Sequence, residues 1–166
     1  MPTDIELIQA LKASYFRAID TKSWDDLRDV FEDDLRYFRD IDFRTPSAEA
    51  SVVGADEFVQ NVRNRHEHSV TVHQGHTPEI TVEADTADGV WAMFDWVDNP
   101  VRDFAWQGYG HYREQYRRGA DGRWRIAIMR LSRIRVDPYR PSAVGSVDAH
   151  RSAWARGELP VLPVAD

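Results

Sequence analysis

The chain contains no cysteine. Disulfides, thiol nucleophiles and thiolate metal sites are therefore excluded. It also lacks any apolar run approaching the ~20 residues that a membrane-spanning helix needs, so no membrane partner is expected. The segment MPTDIELIQ has no basic region followed by an apolar stretch, which gives the expectation of no signal peptide and a cytoplasmic location. Positive charge is in deficit, with 21 Lys and Arg against 28 Asp and Glu and a net charge of −7. No basic cluster is large enough to overturn that balance, so nucleic acid is not an expected partner. Internal repeats, a linker and a second domain are absent from the pattern as well.

What is present describes one globular domain. The 166 residues are 42% hydrophobic and 30% charged, outside the range of disordered chains. Six Trp, six Tyr and seven Phe are enough to line an apolar pocket.

Thr3 and Glu6 form a capping box, and Ile8, Leu11, Tyr15 and Ile19 recur at helical spacing, which predicts a first helix over Asp4–Thr21. Ser23 is the expected cap of a short second helix running to Phe31, ended by Asp33-Asp34. Leu35–Arg39 reads as a strand and Ala50–Val53 as a short edge strand. A third helix opens at Gly54-Ala55-Asp56 and ends near His66. Everything after it reads as β. Ser69–Asp85 alternates as one long strand, bent at Gln74-Gly75-His76-Thr77-Pro78. Val90–Val97 is apolar on both faces except at Asp95. Phe104–Arg118 and Trp124–Val136 are two further long strands joined by a turn at Asp121-Gly122. The cone domain is expected over residues 1–137. Residues 138–166 are expected to form a tail, with a short helix over Val147–Arg156, packed on the domain or on a neighbouring subunit.

Three helices followed by a run of long strands predict an α+β fold, in which a curved mixed or antiparallel sheet wraps over the N-terminal helices as a cone. Such a cone has a closed end and an open mouth, and encloses an apolar pocket. Four ionisable residues fall where burial is costly: Asp20 at the end of the first helix, His73 at the strand bend, Asp95 within an apolar strand, and Arg133 beside Met129 and Leu131. One shared pocket would resolve all four costs. His66, His68, His73 and His76 offer a weaker reading as a metal site. No metal and no cofactor are expected. The two-faced apolar strands also predict a homo-oligomer, a dimer or trimer built through the sheet.

The same residues carry a family resemblance. KASYFRAIDTKSWDDL at Lys12–Leu27, VHQGHTPEITVEADTADGVW at Val72–Trp91 and DGRWRIAIMRLSRIRV at Asp121–Val136 resemble the SnoaL-like branch of the nuclear transport factor 2-like superfamily. Within that branch they are most similar to the bacterial bile acid 7α-dehydratases, and more distantly to scytalone dehydratase and hexachlorocyclohexane dehydrochlorinase. The resemblance implies a cystatin-like α+β barrel and a cofactor-independent lyase. It places Asp20 and His73 on an acid–base dyad and Tyr15 on the first helix's catalytic tyrosine. Asp95 and Arg133 fall on two substrate-pocket positions, where they pair with each other, orient a leaving group, or both. Arg39 stands where those dehydratases have a pocket tyrosine, and Tyr37, two residues away on the same strand face, is the candidate substitute. The implied substrate is an apolar, oxygenated ring such as a steroid or aromatic polyketide. A ring isomerase or cyclase of the same superfamily and a non-catalytic binding module are the alternatives. An epoxide hydrolase would leave His73 without a role.

Overall fold

The computed structural model describes residues 2–40 and 42–144. The expected tail helix over Val147–Arg156 lies outside the described residues.

Helix α1 covers Asp4–Thr21. Its capping box is complete: the Thr3 amide donates to Glu6 Oε2 at 2.7 Å and the Glu6 amide to Thr3 Oγ1 at 3.3 Å. Lys22 ends the helix in the left-handed conformation, φ 61°. Helix α2 is shorter than expected, Trp24–Asp29. Ser23 occupies its N-cap position, as expected, but makes no side-chain cap bond. Its hydroxyl instead meets the Thr21 hydroxyl at 3.0 Å. Strand β1 begins early, at Phe31, and runs to Asp40. Phe31 is drawn into the sheet because its ring packs edge-on against Tyr15 and Phe58, with centroids 5.9 and 5.1 Å apart. The edge strand β2 is Val52–Val53, and helix α3 is Ala55–His66.

The remaining strands are β3 (Val70–Glu83), β4 (Thr86–Asn99), β5 (Phe104–Arg118) and β6 (Trp124–Tyr139). They join β1 and β2 in one six-stranded sheet of order β2-β1-β6-β5-β4-β3. All pairings are antiparallel except β1 with β6. Strand β4 begins at Thr86, before the apolar run at Val90, because the chain reverses tightly at Ala84 (φ 52°). Strand β6 runs three residues past its expected end, where Ala105 pairs with Tyr139. Pairing of β6 with β1 stops at Ser132. Among the described residues no strand pairs with β6 on that side of Pro138, and such an edge position tolerates a missing N–H.

The sheet curves where its registers shift: between His76 and Glu79 on β3, and between Tyr109 and Gly110 on β5. Helix α1 packs chiefly against β3. The inner face buries Trp91, Met93, Tyr112, Tyr116, Ile126, Met129 and Leu131 around Ile8, Tyr15 and Ile19. This is the expected α+β cone. On the outer face the 42–51 segment folds back over buried Asp40, which accepts from Arg130 Nη1, Ser132 Oγ and the Ser47 amide at 2.7, 2.7 and 2.9 Å.

Candidate functional site

Asp20 lies in the last turn of α1, where the helix dipole disfavours an acid. Three donors compensate. His73 Nδ1 donates to Asp20 Oδ1 at 2.7 Å, Thr71 Oγ1 donates to the same oxygen at 2.9 Å, and the His73 amide donates to Oδ2 at 2.9 Å. Thr71 and His73 are two apart on β3 and so share its inner face. The carboxylate can only accept, which requires the proton of a neutral imidazole to sit on Nδ1 and leaves the lone pair on Nε2. The His73 side chain is 7% exposed and the Asp20 side chain 24%. Lys22 completes the corner. Its ammonium donates to Thr71 Oγ1 at 2.9 Å and to the Ile19 carbonyl at 3.2 Å, and burial brings its pKa down to about 8 against the opposing pull of Asp20.

His73 pairs in register with Asp95 on β4, which pairs in turn with Gly108 on β5. Asp95 is held by both arms of Arg133, Nη1 to Oδ1 at 2.8 Å and Nη2 to Oδ2 at 2.5 Å. The ion pair lies flat over Gly108, where a Cβ would come within 2.1 Å of Arg133 Nη1 and 2.2 Å of Asp95 Oδ1. Glycine at 108 is thus a space requirement of the pair. Asp95 and Arg133 both face inward, as strand parity predicted, and the structure pairs them.

Tyr15 is buried below this layer. Its ring stands edge-on to that of Tyr112, with centroids 5.9 Å apart. Burial raises both phenols above their ordinary range. Tyr37 faces inward against Phe58 at 4.8 Å. Burial raises its pKa, while Arg39, Arg133 and Arg65 pull the other way. Asp20, His73, Tyr15, Asp95, Arg133 and Tyr37 therefore share the inner side of the cone. His76 does not: it is exposed and pairs with Ala92 on the outer face.

Several neighbours were not singled out from the sequence. Thr71 was readable by its two-residue spacing from His73. Tyr112 carried no signal beyond its place in an alternating strand. Lys12 sits four after Ile8 and three before Tyr15, on the buried stripe of α1, and its ammonium donates to Glu114 Oε1 at 2.5 Å with both side chains fully buried. It lies over the rings of Tyr112 and Tyr15, 3.6 and 4.2 Å from their centroids. Burial, opposed by Glu114, brings the Lys12 pKa down to about 8. Glu114 also accepts from the Tyr116 hydroxyl at 2.5 Å, which in turn accepts from Trp91 Nε1 at 2.8 Å. His66, at the end of α3, stands edge-on to His73 with centroids 6.3 Å apart. Its buried Nδ1 has no hydrogen-bond partner among the described residues, and burial, then His73 and Lys22, push its pKa down to about 3.

Among the described residues no group of three or more His, Asp or Glu is placed to hold a metal ion, and no helix is long and apolar enough to cross a membrane. A cavity of about 540 Å³ opens on the outer face, between Phe38, Val90, Ile128, Arg113 and Arg130. Glu114 also lines it, whereas Asp20, His73, Tyr15, Asp95, Arg133 and Tyr37 do not.

The fold recurs in solved structures. A protein from Kribbella flavida superposes with a TM-score of 0.70 at 21% identity, over 81% of this chain and 93% of that one. A putative scytalone dehydratase from Novosphingobium aromaticivorans gives 0.66 at 15% identity, over 82% and 88%. The hexachlorocyclohexane dehydrochlorinase LinA-type3 from Novosphingobium barchaimii gives 0.62 at 20% identity, over 81% and 88%. At these identities the likeness speaks for a shared fold. The model of the SnoaL-like domain matches residues 2–130, most of the chain, and with that match the chain belongs to the SnoaL-like family, built on a nuclear transport factor 2-like fold.

Proposed function

We propose that this protein is a cofactor-independent lyase of the dehydratase type, acting on an apolar, oxygenated ring compound such as a steroid or an aromatic polyketide. The observation that carries the reading is the 2.7 Å contact of His73 Nδ1 with Asp20. It fixes one tautomer, leaves Nε2 as the base, and stabilises the cation formed once that nitrogen takes a proton.

The chemistry follows in two steps. His73 Nε2 removes a proton from the carbon beside a ring carbonyl, and the bonding pair moves into an enolate. The enolate then reforms the carbonyl and expels a hydroxyl group from the adjacent carbon. The imidazolium returns its proton to that leaving oxygen, so water departs and His73 is neutral again. The Tyr15 hydroxyl supplies the hydrogen bond to the enolate oxygen, which is where charge develops. Asp95 and Arg133, locked together, orient the ring, and Tyr37 packs against it. The named relatives include a putative dehydratase and a dehydrochlorinase, both consistent with elimination on this scaffold.

The test is to incubate the protein with a panel of β-hydroxy ring ketones, including hydroxy-ketosteroids and polyketide aromatics, and to follow product mass. Loss of one water, abolished by His73→Ala, is the expected result. Conversion at unchanged mass would replace the lyase by an isomerase or cyclase using the same base. Binding of the panel without any conversion would support a binding module.

A further inference from the structure

Two arginines beside this site have no carboxylate. Arg39 lies on β1, where it pairs in register with Leu131 of the inner face. Arg65 lies on α3, seven residues after Phe58 and three after Val62, on the helix face that packs against β1 through Phe58 and Tyr37. Both side chains are exposed. Neither makes an ion pair or a side-chain hydrogen bond among the described residues. The two are close enough to repel: the Arg65 guanidinium is lowered by its partial enclosure first, then by Arg39, then by Arg133. Tyr37, between them, feels all three cations.

The surroundings do not neutralise them. Asp95 is taken by both arms of Arg133, and Asp20 is occupied by His73, Thr71 and the field of Lys22. The chain as a whole carries a net charge of −7, so two uncompensated neighbouring arginines are a local reversal of its balance. Like charges side by side are unfavourable unless a shared anion bridges them, and a planar guanidinium is the side chain best shaped to grip an oxyanion. His66, next in the chain to Arg65, has a buried Nδ1 without a partner among the described residues.

We propose that Arg39 and Arg65 form an oxyanion-binding site at the mouth of the cone, which holds a carboxylate or phosphate group carried by the ring substrate. The substrate is then an amphipathic ring acid or ring phosphate, its apolar body toward Tyr37 and His73 and its anion at the rim. This rests on the inner face being the substrate site, and it deepens that reading by assigning the substrate's charge.

Three probes of similar size separate the cases: 2-naphthoate, 2-naphthyl phosphate and the neutral 2-acetylnaphthalene, measured by fluorescence titration at low and high salt. At least one anion is expected to bind about tenfold more tightly than the neutral ketone, with the preference shrinking as salt rises. In the double variant Arg39→Gln/Arg65→Gln, whose sites are exposed, that preference should fall to about twofold or less while the affinity for 2-acetylnaphthalene is kept. The anion that shows the larger preference identifies carboxylate or phosphate. No preference for either anion in the wild type, or a preference that survives the double variant, overturns the proposal. NMR of the His73 ring with 2-acetylnaphthalene separates this from the functional reading. A shift at His73 without any anion preference sinks the oxyanion site alone. An arginine-dependent preference without a His73 shift sinks the inner-face substrate site instead.

Discussion

His66 shows how a single residue here can tie acid stability to the site. Its folded pKa of about 3 lies below the ordinary value of 6.5 because burial, His73 and Lys22 all disfavour the cation. Between those values the unfolded chain binds a proton that the folded chain refuses, so stability is lost as pH falls below 6.5. Urea unfolding at pH 7 and pH 5 should therefore show the wild type losing about 2 kcal/mol more than His66→Phe over that interval. Equal losses would mean that His66 is hydrated in the native state. Lys12 and Glu114 test a different residue-level claim, that a fully buried ion pair is held by mutual need. Lys12→Met leaves Glu114 buried with Tyr116 as its remaining donor and should cost about 3–5 kcal/mol, whereas Lys12→Met/Glu114→Gln should recover most of that loss. If the double variant is as unstable as the single, the cost comes from packing around the Lys12 stem and not from the stranded charge.

At the scale of elements, the bent and bulged strands decide which side chains look inward. Gly110 sits at the β5 register shift, where a Cβ would come within 2.1 Å of the Ser132 carbonyl oxygen, a backbone atom that cannot swing away. Gly110→Ala should cost about 1–3 kcal/mol, as overpacking does, and should raise the exchange rates of the β5 and β6 amides around Gly110 and Ser132. An unchanged unfolding midpoint would show that the bulge adapts at no cost. Much of this level was legible in the sequence. The capping box and stripe of α1, an edge strand within Ala50–Val53, the limits of β5, and the inward parity of Asp95 and Arg133 follow from local patterns that tertiary packing did not override. The misreadings have physical causes. Asp33 and Asp34 look like a helix end, yet Phe31 enters the sheet because Tyr15 and Phe58 need its ring. Lys12 was not singled out because its partner, Glu114, lies 102 positions away in the chain. Arg65 was not singled out, and Arg39 only as the residue standing in place of a pocket tyrosine, because no local pattern relates a residue of β1 to one of α3.

At the scale of the whole molecule, the described residues leave the outer sheet face only partly covered. Val72 and Tyr109 are 37% and 36% exposed there, beside half-buried Val90 and Phe94. Phe94 of β4 and Tyr109 of β5 pair in register and pack together, with ring centroids 5.4 Å apart. We expect this face to be closed by further copies of the chain in a dimer or trimer. Sedimentation velocity at micromolar concentration should give the oligomer, and Tyr109→Glu should shift it to monomer. A wild-type monomer would show that some other segment covers the face.

The proposed chemistry depends on one molecular event, removal of a carbon-bound proton by His73 held by Asp20. It is tested most directly without knowing the natural substrate, by following hydrogen–deuterium exchange beside the carbonyl of 2-tetralone, an enolisable apolar ring ketone, in D₂O. The wild type should accelerate exchange over buffer. His73→Ala should lower that acceleration by about 10²–10⁴-fold, the usual worth of a general base, or to the buffer rate if the acceleration is smaller. His76→Ala, on the opposite face, should leave it within about twofold of wild type, because strand parity keeps that ring away from the site. Exchange that persists unchanged in His73→Ala, or that falls only in His76→Ala, would contradict the assignment of His73 as the base.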